Sequence, residues 1–127
     1  MNNFIGPQRI WIVGASQGIG LELVKIWLTQ GHQVIASARK AEQSQALMQL
    51  QQRFGKQLYC LNIDVSDATD CALKAELAWS VFSGLDIWFY NVGAYQPMST
   101  AEWDLSAFIQ MNHSNYLGAV ALMVPLQ

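Results

Sequence analysis

The chain has 127 residues, a length typical of one domain, and 52% of them are hydrophobic whereas only 13% are charged. A net charge of -2, with 7 basic residues scattered along the chain, excludes the basic surface that binds nucleic acid or an anionic membrane. The longest run of apolar or small residues, 116–126, is shorter than the roughly 18–20 residues of a membrane-spanning helix, and residues 1–7 lack the pattern of a secretory signal. We therefore expect a cytoplasmic protein with one domain over residues 1–127 and with neither a nucleic-acid nor a membrane partner.

Apolar runs alternate with amphipathic stretches along the whole chain. The runs 10–13 and 87–90 show no inside/outside alternation, which is typical of strands covered on both faces by helices. Gly31 and Gly55 stand where the first two helices should stop. In chain order the predicted elements are strand 9–13, helix 18–30, strand 33–38, helix 41–54, strand 57–63, helix 67–82, strand 86–91 and helix 100–123.

The cysteines and histidines give no sign of metal chemistry. Cys60 and Cys71 fit no CxxC or metal-ligand spacing, so we expect buried, reduced thiols. His32 and His113 are isolated, and solvated or structural roles are expected for both. The sequence therefore predicts no metal site.

Glycines connect the first predicted strand to the first helix, at positions 14, 18 and 20. Alone this pattern is weak evidence, because glycines also serve plain turns. Between a buried strand and an amphipathic helix, however, glycines let a pyrophosphate approach the backbone, and the helix start offers N–H groups and partial positive charge. The position favours dinucleotide binding, with contacts expected from Gly14, Ser16, Gln17, Gly18, Ile19 and Gly20.

With three residues between its first two glycines, segment 14–20 resembles the TGxxxGxG motif of the short-chain dehydrogenases/reductases more than the usual Rossmann GxGxxG. Three further segments are similar to family motifs in the same order: 62–65 to the Asp-Val after the third strand, 91–94 to NNAG and 115–118 to NxxG. The resemblance implies an α/β fold, a Rossmann-like doubly wound parallel sheet with elements βαβαβαβα and strand order 3-2-1-4. It also implies hydride transfer between a nicotinamide cofactor and a small carbonyl or alcohol substrate.

The resemblance assigns roles to the residues of these motifs. It implies that Asp64 contacts the adenine ring and that Asn115 holds a water of the catalytic proton relay. The other contacts it implies for the cofactor come from Val65, Asn91, Val92 and Gly93. From the residues alone, Asp64 could instead cap the next helix, and Asn91 and Asn115 could be ordinary polar residues.

The end of the second predicted strand bears on the choice of cofactor. NAD-binding Rossmann domains usually place Asp or Glu there, to accept hydrogen bonds from the ribose 2′-OH. This chain has Ala38 followed by Arg39 and Lys40. A carboxylate would repel the 2′-phosphate of NADP, whereas a guanidinium binds it bidentately. Arg39 therefore predicts a preference for NADP(H), with NAD(H) possible.

The chain departs from the family pattern at two positions that lie on adjacent strands in the family, where Val13 replaces Thr and Tyr90 replaces Asn. We interpret this as a paired replacement of a polar tie by packing. The catalytic Ser and the YxxxK pair are absent, since none of the tyrosines has a Lys four residues later. We therefore expect the cofactor-binding half of an enzyme about twice this length, the fragment being inactive alone.

Two alternatives remain open at this point. One is a complete, non-catalytic nucleotide-binding or interaction module. The other is a methyltransferase-like Rossmann domain, disfavoured because such domains usually carry an acid where Ala38 and Arg39 stand. The apolar fourth strand would leave an unpaired edge in a four-stranded sheet, and this predicts a homo-oligomer.

Overall fold

A computed structural model describes residues 6–92 and Leu122. Four strands alternate with three α-helices, and a short 3₁₀ turn precedes and another follows the second helix. The elements are β1 (Arg9–Val13), α1 (Gly18–Thr29), β2 (Gln33–Ala38), a 3₁₀ turn (Ala41–Gln43), α2 (Gln45–Phe54), a 3₁₀ turn (Gly55–Gln57), β3 (Leu58–Asn62), α3 (Ala68–Val81) and β4 (Ile87–Tyr90).

The four strands form one parallel sheet in the order β3-β2-β1-β4. In the register, Ile10 of β1 lies between Val34 of β2 and Ile87 of β4. The expected strand order 3-2-1-4 and the Rossmann-like topology are confirmed. Because β1 is central and leads to β2 on one side while β4 lies on its other side, a crevice opens at the carboxyl end of β1.

Helices cover both faces of the sheet at β1, which explains the unbroken apolar run 10–13. The run 87–90 is covered less fully, because Ile87 and Phe89 of β4 are exposed. On one face α1 and α2 contribute Val24, Leu28, Leu47 and Leu50 to a core cluster. On the other face α3 contributes Cys71, Ala75 and Ala78, joined there by Leu122.

An arginine clasp holds the start of β4 beside the start of β1. The Arg9 guanidinium donates to both carboxylate oxygens of Asp86, each at 3.0 Å, and to the Ser83 carbonyl oxygen at 2.9 Å. The Arg9 backbone N–H also donates to Asp86 Oδ2 at 2.8 Å. These hydrogen bonds favour the ionised carboxylate and lower the pKa of Asp86 to about 2.

The structure corrects one predicted helix. The expected helix 41–54 is broken at Ser44, whose Oγ accepts the Leu47 N–H at 3.2 Å and so caps α2. A side-chain oxygen at this position satisfies a donor that the helix itself leaves open, which is why the helix begins there.

The last predicted helix, 100–123, lies outside the described residues except for Leu122, which is helical and fully buried. Cys60 and Cys71 are free thiols, Cys71 buried and Cys60 half-buried. Within the part of the chain that the structure describes, no helix has the length and apolar character needed to cross a membrane.

Candidate functional site

The crevice at the carboxyl end of β1 contains a cleft of about 490 Å³. It is lined by the ends of the strands, by the loop that precedes α1 and by the first residues of that helix. The lining residues are Val13, Gly14, Ser16, Gln17, Gly18, Ile19, Ala38, Arg39, Ile63, Val65, Asn91 and Val92.

Most residues predicted to contact a cofactor therefore share one cleft. Gly20 and Asp64 do not line it, and Gly93 and Asn115 lie outside the described residues. Val13, Ala38 and Ile63 were missed as lining residues. Their only signal in the sequence is that each stands at or just past the end of a strand.

Gly14 lets the chain turn between two strands. Its φ is +96°, and a Cβ at this position would overlap the backbone carbonyl of Asn91. The N–H groups of Gly14 and Ala15 both donate to the Ser37 carbonyl, at 2.8 and 3.1 Å. A side chain at position 14 would therefore push the loop away from β4.

Gly20 lets α1 approach the end of β1. A Cβ on Gly20 would overlap the Gly14 carbonyl oxygen and would lie 2.9 Å from Asn91 Nδ2. That same Asn91 amide donates to the Gly14 carbonyl at 3.2 Å. Gly20 and Asn91 thus both approach the loop at the Gly14 carbonyl, and of the two only Asn91 also lines the cleft.

The start of α1 is open toward the cleft. Gln17 precedes the helix without capping it through its side chain, and the first turn carries no acidic residue. Gly18, at φ +59°, has no atom within 4 Å of the place where a Cβ would stand. The first-turn N–H groups and the positive end of the helix dipole therefore give this part of the cleft a surface that favours an anion.

The Arg39 side chain lies at the end of β2, exposed and lining the cleft. Ion pairs in residues 6–92 are Arg9–Asp86, Lys25–Glu22 and Lys74–Asp70, so within that range the Arg39 guanidinium pairs with no carboxylate. A cationic side chain thus stands where the fold usually offers a carboxylate to a ribose 2′-OH.

Asp64 belongs to the turn beside the cleft, next to the lining residues Ile63 and Val65. Its Oδ1 accepts hydrogen bonds from the Ser66 N–H at 3.0 Å and the Ser66 hydroxyl at 2.6 Å. The interpretation of Asp64 as the cap of the next helix is wrong. Asp67 caps α3 instead, accepting the N–H groups of Thr69 and Asp70 at 3.0 and 3.2 Å.

The two positions that depart from the family motifs are direct partners, since Val13 of β1 pairs in register with Tyr90 of β4. Val13 is only 1% exposed and belongs to the core cluster on the α3 face, against which Tyr90 packs. Burial, and more weakly the nearby Cys71, raises the pKa of Tyr90 to about 12. The hydroxyl of Tyr90 is therefore protonated at neutral pH.

Comparison with known proteins gives consistent matches. A sequence profile described as short chain dehydrogenase matches residues 8–126. Oxidoreductase BOA17 of Botryotinia fuckeliana is 31% identical over 114 residues, which cover 88% of this chain and 40% of that protein. A probable NADP-dependent dehydrogenase of Dichelobacter nodosus is 33% identical over 84 residues, 66% of this chain and 76% of that protein. A carbonyl reductase structure from Pseudomonas aeruginosa PAO1 superposes with a TM-score of 0.79 at 30% identity, covering 94% of this chain and 55% of that one.

The chain spans 40% of the length of the Botryotinia fuckeliana relative and 34% and 35% of the length of two further curated relatives. The relatives are oxidoreductases, and the aligned region is the part that carries the glycine loop and the parallel sheet. A profile match over nearly the whole chain, a sheet in the order 3-2-1-4 and a cleft at its topological switch point agree with one another. On this combined evidence the chain is a member of the short-chain dehydrogenase family of oxidoreductases.

Proposed function

We propose that the cleft binds NADP(H), and that the protein reduces a carbonyl group or oxidises an alcohol by hydride transfer. The observation that carries the proposal is that one cleft brings together the start of α1, which the Gln17 side chain does not cap, and the Arg39 cation, which pairs with no carboxylate of residues 6–92. The first suits a pyrophosphate and the second a 2′-phosphate.

The glycine loop fits a dinucleotide. At Gly14 and Gly20 a Cβ would strike backbone atoms, so these positions keep strand and helix close together. At Gly18, which lines the cleft at the helix start, a Cβ would meet open space. Phosphate oxygens would occupy that space. The residues that would hold them are Gly14, Ser16, Gln17, Gly18 and Ile19. Toward the two ends of the cofactor the cleft is lined by Val65, Asn91 and Val92.

The preference for NADP(H) over NAD(H) rests on Arg39. The strand before it ends in the apolar Ala38, so no carboxylate at that strand end competes for or repels a 2′-phosphate. The Dichelobacter nodosus relative, described as NADP-dependent, supports the same preference.

The substrate class follows from the chemistry of the cofactor, which supplies or accepts a hydride when bound. The Pseudomonas aeruginosa structure named a carbonyl reductase, 30% identical to this chain, supports a carbonyl substrate. We assign Asn115 the proton-relay role that the motif resemblance implies. The acid/base Tyr and its Lys have no counterpart in this sequence, so turnover requires residues that this chain does not contain.

The experiment is a fluorescence titration of NADPH and NADH against the wild-type protein and Arg39→Ala. We expect the variant to lose about 1.5–3 kcal/mol of NADPH binding, the value of a charge-assisted hydrogen bond, with a much smaller loss for NADH. Arg53→Ala is the matched control, because Arg53 is also exposed but lies over the Phe54 ring at the end of α2, outside the cleft. Equal weakening of both cofactors, or loss with the control alone, would refute the assignment.

The alternative, a non-catalytic binding module complete at this length, predicts the same cofactor binding in this titration. It differs in a turnover assay, because only the enzyme has a longer form that supplies Ser and YxxxK. NADPH oxidation by such a form with a carbonyl substrate would exclude that alternative.

We also propose that the protein assembles as a homo-oligomer and resides in the cytoplasm. Within residues 6–92 the outer edge of β4 pairs with no strand, and Ile87 and Phe89 on it are 40% and 38% exposed. Apolar strand edges of this kind are covered in stable proteins. Light scattering after size exclusion tests the assembly, and a monodisperse monomer would contradict it.

A further inference from the structure

A lysine on α3 reaches the end of β3. Lys74 Nζ donates to the Asn62 carbonyl oxygen at 2.6 Å and forms an ion pair with Asp70 Oδ1 at 3.2 Å. The two side chains are only 25% and 24% exposed. This partial burial distinguishes the pair from fully exposed ion pairs, which contribute little to stability.

Asp70 also binds the turn that forms one wall of the cleft. Its other oxygen, Oδ2, accepts the Asp64 N–H at 2.8 Å. Lys74 and Asp70 therefore hold the backbone on both sides of Ile63, whose side chain lines the cleft. Fixing a carbonyl and an N–H two residues apart defines the path of the chain between them.

Asn62 carries the constraint to the opposite wall. Its side-chain Oδ1 accepts the Glu42 N–H at 2.8 Å, in the 3₁₀ turn that follows Arg39. Asn62 also pairs in register with Ala38, whose carbonyl accepts the Ile63 N–H at 3.0 Å. The end of β3 is thus bonded both to α3 and to the loop that presents Arg39.

We propose that Lys74 is a positioning residue for the adenosine end of the cleft, acting through Asp70 and Asn62 on its two walls. This proposal rests on the proposed function, because it concerns how the same cleft holds its nucleotide. Lys74 itself does not line the cleft. Its effect on binding must therefore come through the placement of Ile63, Val65 and the Arg39 loop.

Two variants separate positioning from simple electrostatics. Lys74→Met removes a positive charge and Asp70→Ala removes a negative one, so a direct field effect on an anionic nucleotide would shift affinity in opposite directions. Positioning predicts that both variants weaken binding by about tenfold, the scale on which residues that do not touch a ligand alter its affinity. Lys74→Arg should restore affinity.

The probes are 2′,5′-ADP and 5′-AMP, titrated calorimetrically against the protein. Lys25→Met is the matched control, since Lys25 also pairs with a carboxylate on its own helix, Glu22, but outside the cleft and without contacting a strand. Asn62→Ala tests the link to the Arg39 loop: it removes the acceptor of the Glu42 N–H and should weaken 2′,5′-ADP more than 5′-AMP. If Lys74→Met fails to fold, Asp70→Ala with Lys74→Arg carries the test, because a field effect predicts tighter binding in Asp70→Ala and positioning predicts weaker binding.

Three results together support the proposal. The wild-type protein binds 2′,5′-ADP, Lys74→Met and Asp70→Ala both bind it more weakly, and Lys25→Met binds it as the wild type does. Unchanged affinity in Lys74→Met, or opposite shifts in the two variants, would overturn it and leave the proposed function intact. Failure of the wild-type protein to bind either nucleotide would instead overturn the proposed function, and this proposal with it.

Discussion

Two glycines of the same loop should lose different properties when alanine replaces them: Gly18→Ala mainly cofactor binding, and Gly20→Ala mainly stability. In Gly18→Ala the new methyl group meets open space, so the structural cost is only that of holding an L-residue at φ +59°, about 1–2 kcal/mol. In Gly20→Ala the methyl group would overlap the Gly14 carbonyl oxygen and crowd Asn91 Nδ2. Helix α1 must then move away from β1.

The cost at Gly20 can be assembled from the contacts. Overpacking a tight site costs roughly 1–3 kcal/mol. Displacing the hydrogen bond from Asn91 Nδ2 to the Gly14 carbonyl, 3.2 Å long, adds about 1 kcal/mol. We therefore expect Gly20→Ala to lose about 2–4 kcal/mol of unfolding free energy, more than Gly18→Ala.

Urea unfolding followed by circular dichroism measures the stability of both variants, and NADPH titration measures their binding. Gly18→Ala should remain folded yet bind NADPH poorly, because its methyl group occupies the space proposed for phosphate. A Gly20→Ala protein as stable as wild type would refute the close approach of helix and strand. A Gly18→Ala protein with normal NADPH affinity would refute the placement of the pyrophosphate.

Three further predictions concern groups outside the cleft. Arg9 lowers the pKa of Asp86 from its ordinary 3.8 to about 2, so its stabilisation is present above about pH 4 and is lost as pH falls toward 2. Asp86→Asn should reduce the fall in Tm below about pH 4. An unchanged fall would contradict the stabilising role of the Arg9–Asp86 pair. The buried Trp11 indole N–H donates to Ser37 Oγ at 2.8 Å. Ser37→Ala removes this acceptor and should lower the free energy of unfolding in urea by ~1–3 kcal/mol. An unchanged free energy of unfolding would contradict this. Burial, then the nearby carboxylates, raises the pKa of Cys71 to about 11, so iodoacetamide at pH 8 should alkylate this thiol slowly until the protein is unfolded; rapid native labelling mapped by mass spectrometry would show otherwise.

The sequence was sufficient to predict those features of the structure that depend on residues adjacent in the chain. The unbroken apolar run 10–13 predicted a strand covered on both faces by helices, and residues of β1 belong to the core clusters on both faces of the sheet. The glycine loop could be located because a strand, a turn and a helix follow one another without interruption. The break at Ser44 was missed because an apolar pattern continues through 41–54, and only the hydrogen bond from Leu47 shows where α2 begins.

The parts that could not be predicted depend on contacts between distant segments. Gly20 was expected to touch the cofactor, yet its role is set by the Gly14 carbonyl and by Asn91, which is far away in sequence. Similarly, nothing in the sequence near Lys74 indicates that its ammonium reaches Asn62 and so influences the wall of a cleft that it does not line. Such roles appear only when the register of the strands is known.

The Val13–Tyr90 pair shows how a departure from a family motif can leave the site intact. The family has a polar tie between β1 and β4 at these positions, and here Val13 and Tyr90 pack on the α3 face of the sheet. Other polar groups nearby join the same strands: the Asn91 N–H donates to the Val13 carbonyl at 2.8 Å, and its side-chain amide donates to the Gly14 carbonyl. On the other side of β1, Trp11 is tied to Ser37 of β2. Since β1 stays bonded to both neighbours through these groups, the glycine loop keeps its position without the Thr and the Asn that the family motifs have at positions 13 and 90.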